Sequence, residues 1–153
     1  MSITVTSQKI FDAFYDDYNK GKAFMHSHTY SGNPLGCAAA LAVQKVLRDQ
    51  NILEKARKTA VYLHEKLSES LKNHPNVGEI RHIGLINAIE LVKDKKTKES
   101  FDPKLRVGYQ IYKKALNLGL ILRPLGDVIY FNPPLNISKS EVDEAIDMLV
   151  KVL

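Results

Sequence analysis

Hydroxyls, imidazoles and a helix start stand together in Phe24-Met25-His26-Ser27-His28-Thr29-Tyr30-Ser31-Gly32-Asn33-Pro34, and the small-residue run Leu35-Gly36-Cys37-Ala38-Ala39-Ala40 follows at once. Asn33 suits an N-cap and Pro34 the first helical position, where a missing N–H costs nothing. Such a loop brings hydroxyl and backbone donors to the positive end of a helix, the place where a chain can hold a phosphate or a carboxylate. The hydroxyls and backbone donors of the loop, those of Ser27, His28 and Thr29 among them, are the candidates; an ordinary capped turn is the plain alternative. A second candidate is Arg123, between Leu122 and Pro124. A guanidinium at a strand end presents a planar fork that fits a carboxylate with two parallel hydrogen bonds. An ion pair with Asp127 is its plain alternative. His26 and His28 invite a metal reading, but we expect their rings to point apart, and no third ligand is spaced nearby. No metal is expected.

These residues need elements to hold them. Ser7 to about Tyr18 reads as a helix with Ile10, Phe11 and Phe14 on one side, ended by Asn19-Lys20-Gly21-Lys22. Leu35, Ala39, Ala42, Val43 and Val46 recur at helical spacing to about Arg48. Asn51 with Glu54 resembles a capping box opening a long helix, whose stripe is Leu53, Ala56, Ala60, Leu63, Leu67 and Leu71. Residues 77–84 and 85–92 read as two strands split by glycine, and 93–100 as a charged loop. Asp102-Pro103 predicts the start of another helix carrying Val107, Ile111, Ala115 and Leu118 and ended by Gly119. Residues 120–123 and 128–131 predict two short strands around Leu125-Gly126-Asp127. Ser138 with Glu141 caps a last helix with the stripe Val142, Ile146, Leu149 and Leu153. Helices covering one face of a small sheet make an α/β two-layer sandwich.

Composition narrows the setting. The 153 residues carry 44% hydrophobic and 25% charged side chains, an ordinary globular balance for one domain. No apolar run is long enough to cross a membrane, and the first residues lack the features of a secretory leader. The single cysteine, Cys37, reads as a small packed residue in a reducing cytoplasm. A net charge of +5, with Lys93, Lys95, Lys96 and Lys98 close together, comes without aromatic interleaving or a recognition motif, so no nucleic acid partner is expected. The positive balance suits an anionic cofactor or substrate.

Thr29-Tyr30-Ser31-Gly32-Asn33-Pro34-Leu35 and Leu122-Arg123-Pro124-Leu125-Gly126-Asp127-Val128-Ile129-Tyr130-Phe131-Asn132-Pro133-Pro134 resemble two blocks of the class III pyridoxal-phosphate aminotransferases. The likeness runs from Ile3 to Leu153. It implies the small C-terminal domain of a fold-type I pyridoxal 5'-phosphate transferase over 35–153. Residues 1–34 would then be an edge of the large cofactor-binding domain together with the signature loop. Among the family's branches, 123–130 leans toward the one serving biotin biosynthesis, with S-adenosylmethionine as amino donor. Ornithine-type or omega-amino-acid aminotransferases are the alternative in class, and a non-catalytic interaction module of the same fold the alternative in kind. The resemblance gives His28 and Thr29 to the cofactor, with Thr29 on its phosphate and reaching into a partner subunit of a homodimer. It gives Ser27 and Arg123 to small-molecule substrates, Arg123 on a carboxylate. Relatives often have glycine where Ser27 stands. The Schiff-base lysine belongs to a segment before Ile3 in the family, so no catalytic residue is assigned in this chain. By itself the chain is expected not to transaminate.

Overall fold

The computed structural model describes residues 2–153, which form two compact units with a boundary between Leu47 and Arg48.

The first unit is built on two helices, α1 (Gln8–Phe14) and α2 (Pro34–Asp49), the second of which runs two residues past the boundary. Helix α1 stops short of the expected Tyr18 because local side-chain bonds compete with the helix. The Asp16 carboxylate accepts from the Asp17 N–H at 2.8 Å and pairs with Lys22 at 2.7 Å. That hydrogen-bonded ammonium holds the Asp16 carboxyl below its ordinary range. Tyr18–Lys20 instead makes a 3-10 turn closed by Gly21, whose φ of 61° suits glycine. Helix α2 starts as the sequence indicates, with the Asn33 side chain accepting from the Leu35 N–H at 3.0 Å behind Pro34. Neither helix buries a residue.

The second unit places α3 (Ile52–Leu71), α4 (Val107–Asn117) and α5 (Lys139–Val152) with a four-stranded sheet. Its strands are β1 (Val77–Ile83), β2 (Ile86–Leu91), β3 (Arg123–Leu125) and β4 (Val128–Phe131), in the order β1-β2-β4-β3 and antiparallel throughout. The core joins Leu63, Leu67 and Leu71 of α3 to Ile89, Ile129 and the α5 residues Val142, Ile146 and Leu149. Asn87 is the one buried polar side chain among the described residues. Its amide donates to the Leu85 carbonyl at 3.3 Å, and its oxygen meets His64 Nδ1 at 3.1 Å, so burial leaves it satisfied.

Several boundaries differ from the sequence reading, each for a local reason. Asn51 makes no side-chain cap and sits at φ 52°, which turns Ile52 rather than Leu53 into the core. Asp102 and Pro103 open a 3-10 turn over Pro103–Leu105; Arg106 then takes φ 47°, and α4 begins only at Val107. The first short strand moves from 120–123 to 123–125. Gly119, at φ 89°, donates to the Leu116 carbonyl and Leu120 to that of Ala115, both at 3.0 Å, a Schellman closure of α4. Leu120 is thereby withdrawn from any ladder. In α5 the capping box forms as expected, and Val152 rather than Leu153 completes the buried stripe. The 93–100 loop is ordered by its own charges: Asp94 accepts from the Lys96 and Thr97 N–H groups at 2.8 and 2.7 Å, and Lys95 Nζ reaches the Lys72 carbonyl beyond the end of α3 at 2.5 Å. The Thr97 bonds lead in lowering the Asp94 carboxyl below its usual range.

Candidate functional site

In the first unit the chemistry-bearing segment is two linked turns ahead of α2. The Ser31 N–H donates to the His28 carbonyl at 2.9 Å, and the Ser31 hydroxyl accepts from the His28 N–H at 3.1 Å. Thr29 and Tyr30 are therefore the central pair of a turn, whose N–H groups face outward. The next turn is closed by the Asn33 N–H on the Tyr30 carbonyl at 3.2 Å, with Gly32 at φ 71°. The Thr29 hydroxyl and the Thr29 and Tyr30 N–H groups have no hydrogen-bond partner among the described residues. Three free donors on an exposed turn before a helix start are a donor set that suits a phosphate. The Tyr30 N–H was not singled out from sequence; the run Ser31-Gly32-Asn33 beside it is the turn signal that would have found it.

Ser27 and His28 precede Thr29 directly, so the three named loop residues lie together. The His26 and His28 rings do not point apart: they meet edge to face at 5.6 Å between centroids. Phe24 lies 5.6 Å from His26 and Phe14 lies 5.4 Å from Phe24, extending the row. Residues two apart in an extended chain share a side, which accounts for the row. Among the described residues no three His, Cys, Asp or Glu side chains gather as a metal site.

Arg123 belongs to the second unit. The cross-strand row Arg81–Ala88–Tyr130–Arg123 alternates with the row Ile80–Ile89–Ile129–Pro124. Ile89 and Ile129 are fully buried in the core, so Arg123 projects from the opposite face of the sheet. Its guanidinium has no ion-pair or hydrogen-bond partner among the described residues. Asp127 does not pair with it; that carboxylate accepts instead from the Gly108 N–H at 3.2 Å. On the same row Arg81 pairs through one guanidinium nitrogen with Glu90 and Glu79, which raise its already high affinity for its proton, Glu90 most. One arginine of this face is thus paired and the other unpaired. Tyr130 stands directly across the ladder from Arg123, within reach of its side chain. The two-residue turn Gly126–Asp127 fixes that pairing, a signal present in the sequence once the turn is placed correctly.

The model of the aminotransferase class III family matches residues 1–153. The adenosylmethionine-8-amino-7-oxononanoate aminotransferase of Geobacter sulfurreducens is 42% identical over 151 residues, 99% of this chain and 33% of that protein. The putrescine–pyruvate aminotransferase of Pseudomonas aeruginosa is 42% identical over 143 residues, 93% of this chain and 31% of that protein. The crystal structure of adenosylmethionine-8-amino-7-oxononanoate aminotransferase from Methanocaldococcus jannaschii superposes with a TM-score of 0.88 at 36% identity, over 96% of this chain and 33% of that one. The chain spans about a third of the length of the curated relatives it matches.

Proposed function

The chain belongs to the class III aminotransferase family, and from that premise we propose that it supplies phosphate and carboxylate binding to a pyridoxal 5'-phosphate-dependent transaminase. Its domains are then an edge of the large domain with the signature loop over 1–34, and the small C-terminal domain over 35–153. The observation that carries the reading is the open guanidinium of Arg123, left unpaired on a sheet face while Arg81, on the opposite edge strand of that face, is paired with Glu79 and Glu90. A cation kept free in this way is available to a substrate carboxylate, and the fork orients that carboxylate as well as attracting it.

Thr29 supplies its hydroxyl and N–H to the cofactor phosphate, with the Tyr30 N–H beside them, and His28 borders the cofactor. The small side chain of Ser27 borders the substrate. When bound, the cofactor serves as the electron sink that lets an amino group leave one carbon skeleton and join another. The donor turn at Thr29 would hold a phosphate and Arg123 a substrate carboxylate, each converting encounter into orientation at its own site. In a homodimer, Thr29 serves the site of the partner subunit.

The substrate reading is amino transfer from S-adenosylmethionine to 8-amino-7-oxononanoate, giving 7,8-diaminononanoate, in a cytoplasmic biotin-pathway enzyme. The Geobacter and Methanocaldococcus relatives support it. The equal identity of the putrescine–pyruvate enzyme supports a second reading, an amine donor with a short keto acid. The deciding experiment supplies the complete enzyme with each donor–acceptor pair and measures kcat/KM by product formation. Turnover of the 8-amino-7-oxononanoate pair at a hundredfold or greater advantage is expected; preference for putrescine and pyruvate overturns the biotin reading, and no amino transfer with either pair counts against the transaminase.

A further inference from the structure

We propose that Asp127 and Gly108 form a clasp that positions Arg123 and keeps its guanidinium unpaired. The inference rests on the assignment of Arg123 to a substrate carboxylate and adds the residues that make that assignment work.

The hairpin carrying Arg123 has little of its own to hold it. Strand β3 is three residues long, lies at the sheet edge, and contains Pro124, which has no N–H to give a ladder. Its turn is fastened from outside at two points. The Asp127 carboxylate accepts from the Gly108 N–H at 3.2 Å, and the Asp127 carbonyl accepts from the Leu91 N–H at 2.9 Å. The turn is therefore tied both to the first turn of α4 and to the end of β2. Gly108 is buried, and a Cβ at that position would stand 2.2 Å from the Gly126 carbonyl oxygen. Only glycine lets the helix come this close to the turn.

The same bond settles where the charge of Asp127 goes. Asp127 is the only carboxylate in the hairpin Arg123–Phe131, and an unengaged acid four residues from an open guanidinium would compete with a substrate for it. Bonded to Gly108, at the positive end of α4, the carboxylate is occupied elsewhere. One contact thus ties down the turn of the hairpin that carries the fork and engages the hairpin's only carboxylate.

The test uses the complete enzyme with Asp127→Ala, Asp127→Asn and Arg123→Ala, a carboxylate-bearing acceptor and an analogue lacking that carboxylate. Asp127→Ala should raise KM for the carboxylate substrate roughly tenfold, by letting the fork drift from its productive position, with kcat and the analogue's KM little changed. Asp127→Asn, whose amide oxygen still accepts from Gly108, should bring KM back to within about twofold of the parent, since the bond is kept. Hydrogen exchange at the Gly108 and Leu91 amides should speed up in Asp127→Ala and not in Asp127→Asn. Equal losses for both substrates in Asp127→Ala, or unchanged exchange at those amides, overturns the clasp. If Arg123→Ala itself fails to distinguish the two substrates, the carboxylate assignment falls, and the positioning role falls with it. A selective Arg123→Ala beside an unselective Asp127→Ala removes the clasp alone.

Discussion

The two units hold comparable chemistry on very different supports. Residues 48–153 own a core, with Leu67, Ile89, Ile129 and Leu149 sealed from solvent, whereas α1 and α2 bury nothing. Phe11 and Phe14 stand about half exposed, at 48% and 47%, and Leu35 at 81%. The donor turn at Thr29 therefore rides on a segment whose order owes little to apolar burial, and Arg123 rides on a packed sandwich. Mutations should divide along that line: those that empty the core of the second unit act through folding, those at the donor turn of the first through ligand contact.

The largest effect expected is in the core. Leu67→Ala removes a fully buried side chain from the middle of α3 and should cost about 2–5 kcal/mol in a urea titration, the range for large-to-small core changes. In the same chain Phe14→Ala, at a half-exposed ring beside Phe24, should cost clearly less than Leu67→Ala. Comparable losses at the two positions would erase the distinction between the units.

Next comes the donor turn. Thr29→Ala removes one charge-assisted hydrogen bond to the cofactor phosphate, worth about 1.5–3 kcal/mol, or roughly ten- to a hundredfold in affinity. Cofactor titration of the complete enzyme should show that loss while the cofactor-free melting midpoint stays put. A lowered midpoint with unchanged affinity would make Thr29 a turn residue and nothing more.

What the sequence disclosed, and what it hid, follows from how local each feature is. The stripes of α3 and α5 repeat every three to four residues and were readable directly; their end members shifted by one, to Ile52 and Val152. Asn51 was misread because the Asn51–Glu54 spacing fits a capping box, while the backbone there takes the left-handed conformation that makes capping impossible. The strand at 120–123 was misplaced because its apolar residues suit a ladder, yet Leu120 is already spent closing α4. Whether Arg123 pairs with Asp127 could not be read at all. That outcome depends on the Gly108 N–H, nineteen residues away in the chain. The start of α2, by contrast, was legible in Asn33 and Pro34, since cap chemistry is local.

The smallest effect is also the one that contrasts the units most cleanly, because each has a helix capped by a side chain at its N-terminus. Ser138→Ala breaks the capping box of α5, in which the Ser138 hydroxyl accepts from the Glu141 N–H at 3.2 Å and the Glu141 carboxylate accepts from the Ser138 N–H at 2.7 Å. It should cost about 1 kcal/mol of global stability, since α5 lends its whole buried stripe to the core. Asn33→Ala removes the equivalent bond to Leu35 from α2, a helix that buries nothing, and should fray that helix end with no measurable shift in the global transition. The α5 cap also carries a pH signature. The Ser138 side-chain hydrogen bond, with that of its backbone, holds the Glu141 carboxyl below its ordinary range. A carboxyl lowered in the folded state binds its proton less readily there than in the unfolded chain, so its contribution is complete above the unfolded value. It is lost as pH falls through the lowered folded value. Urea midpoints should therefore decline less steeply on acidification in Glu141→Gln than in the parent, because the glutamine has no carboxyl to protonate. Parallel declines in the two proteins would show that the box does not stabilise α5 through its charge.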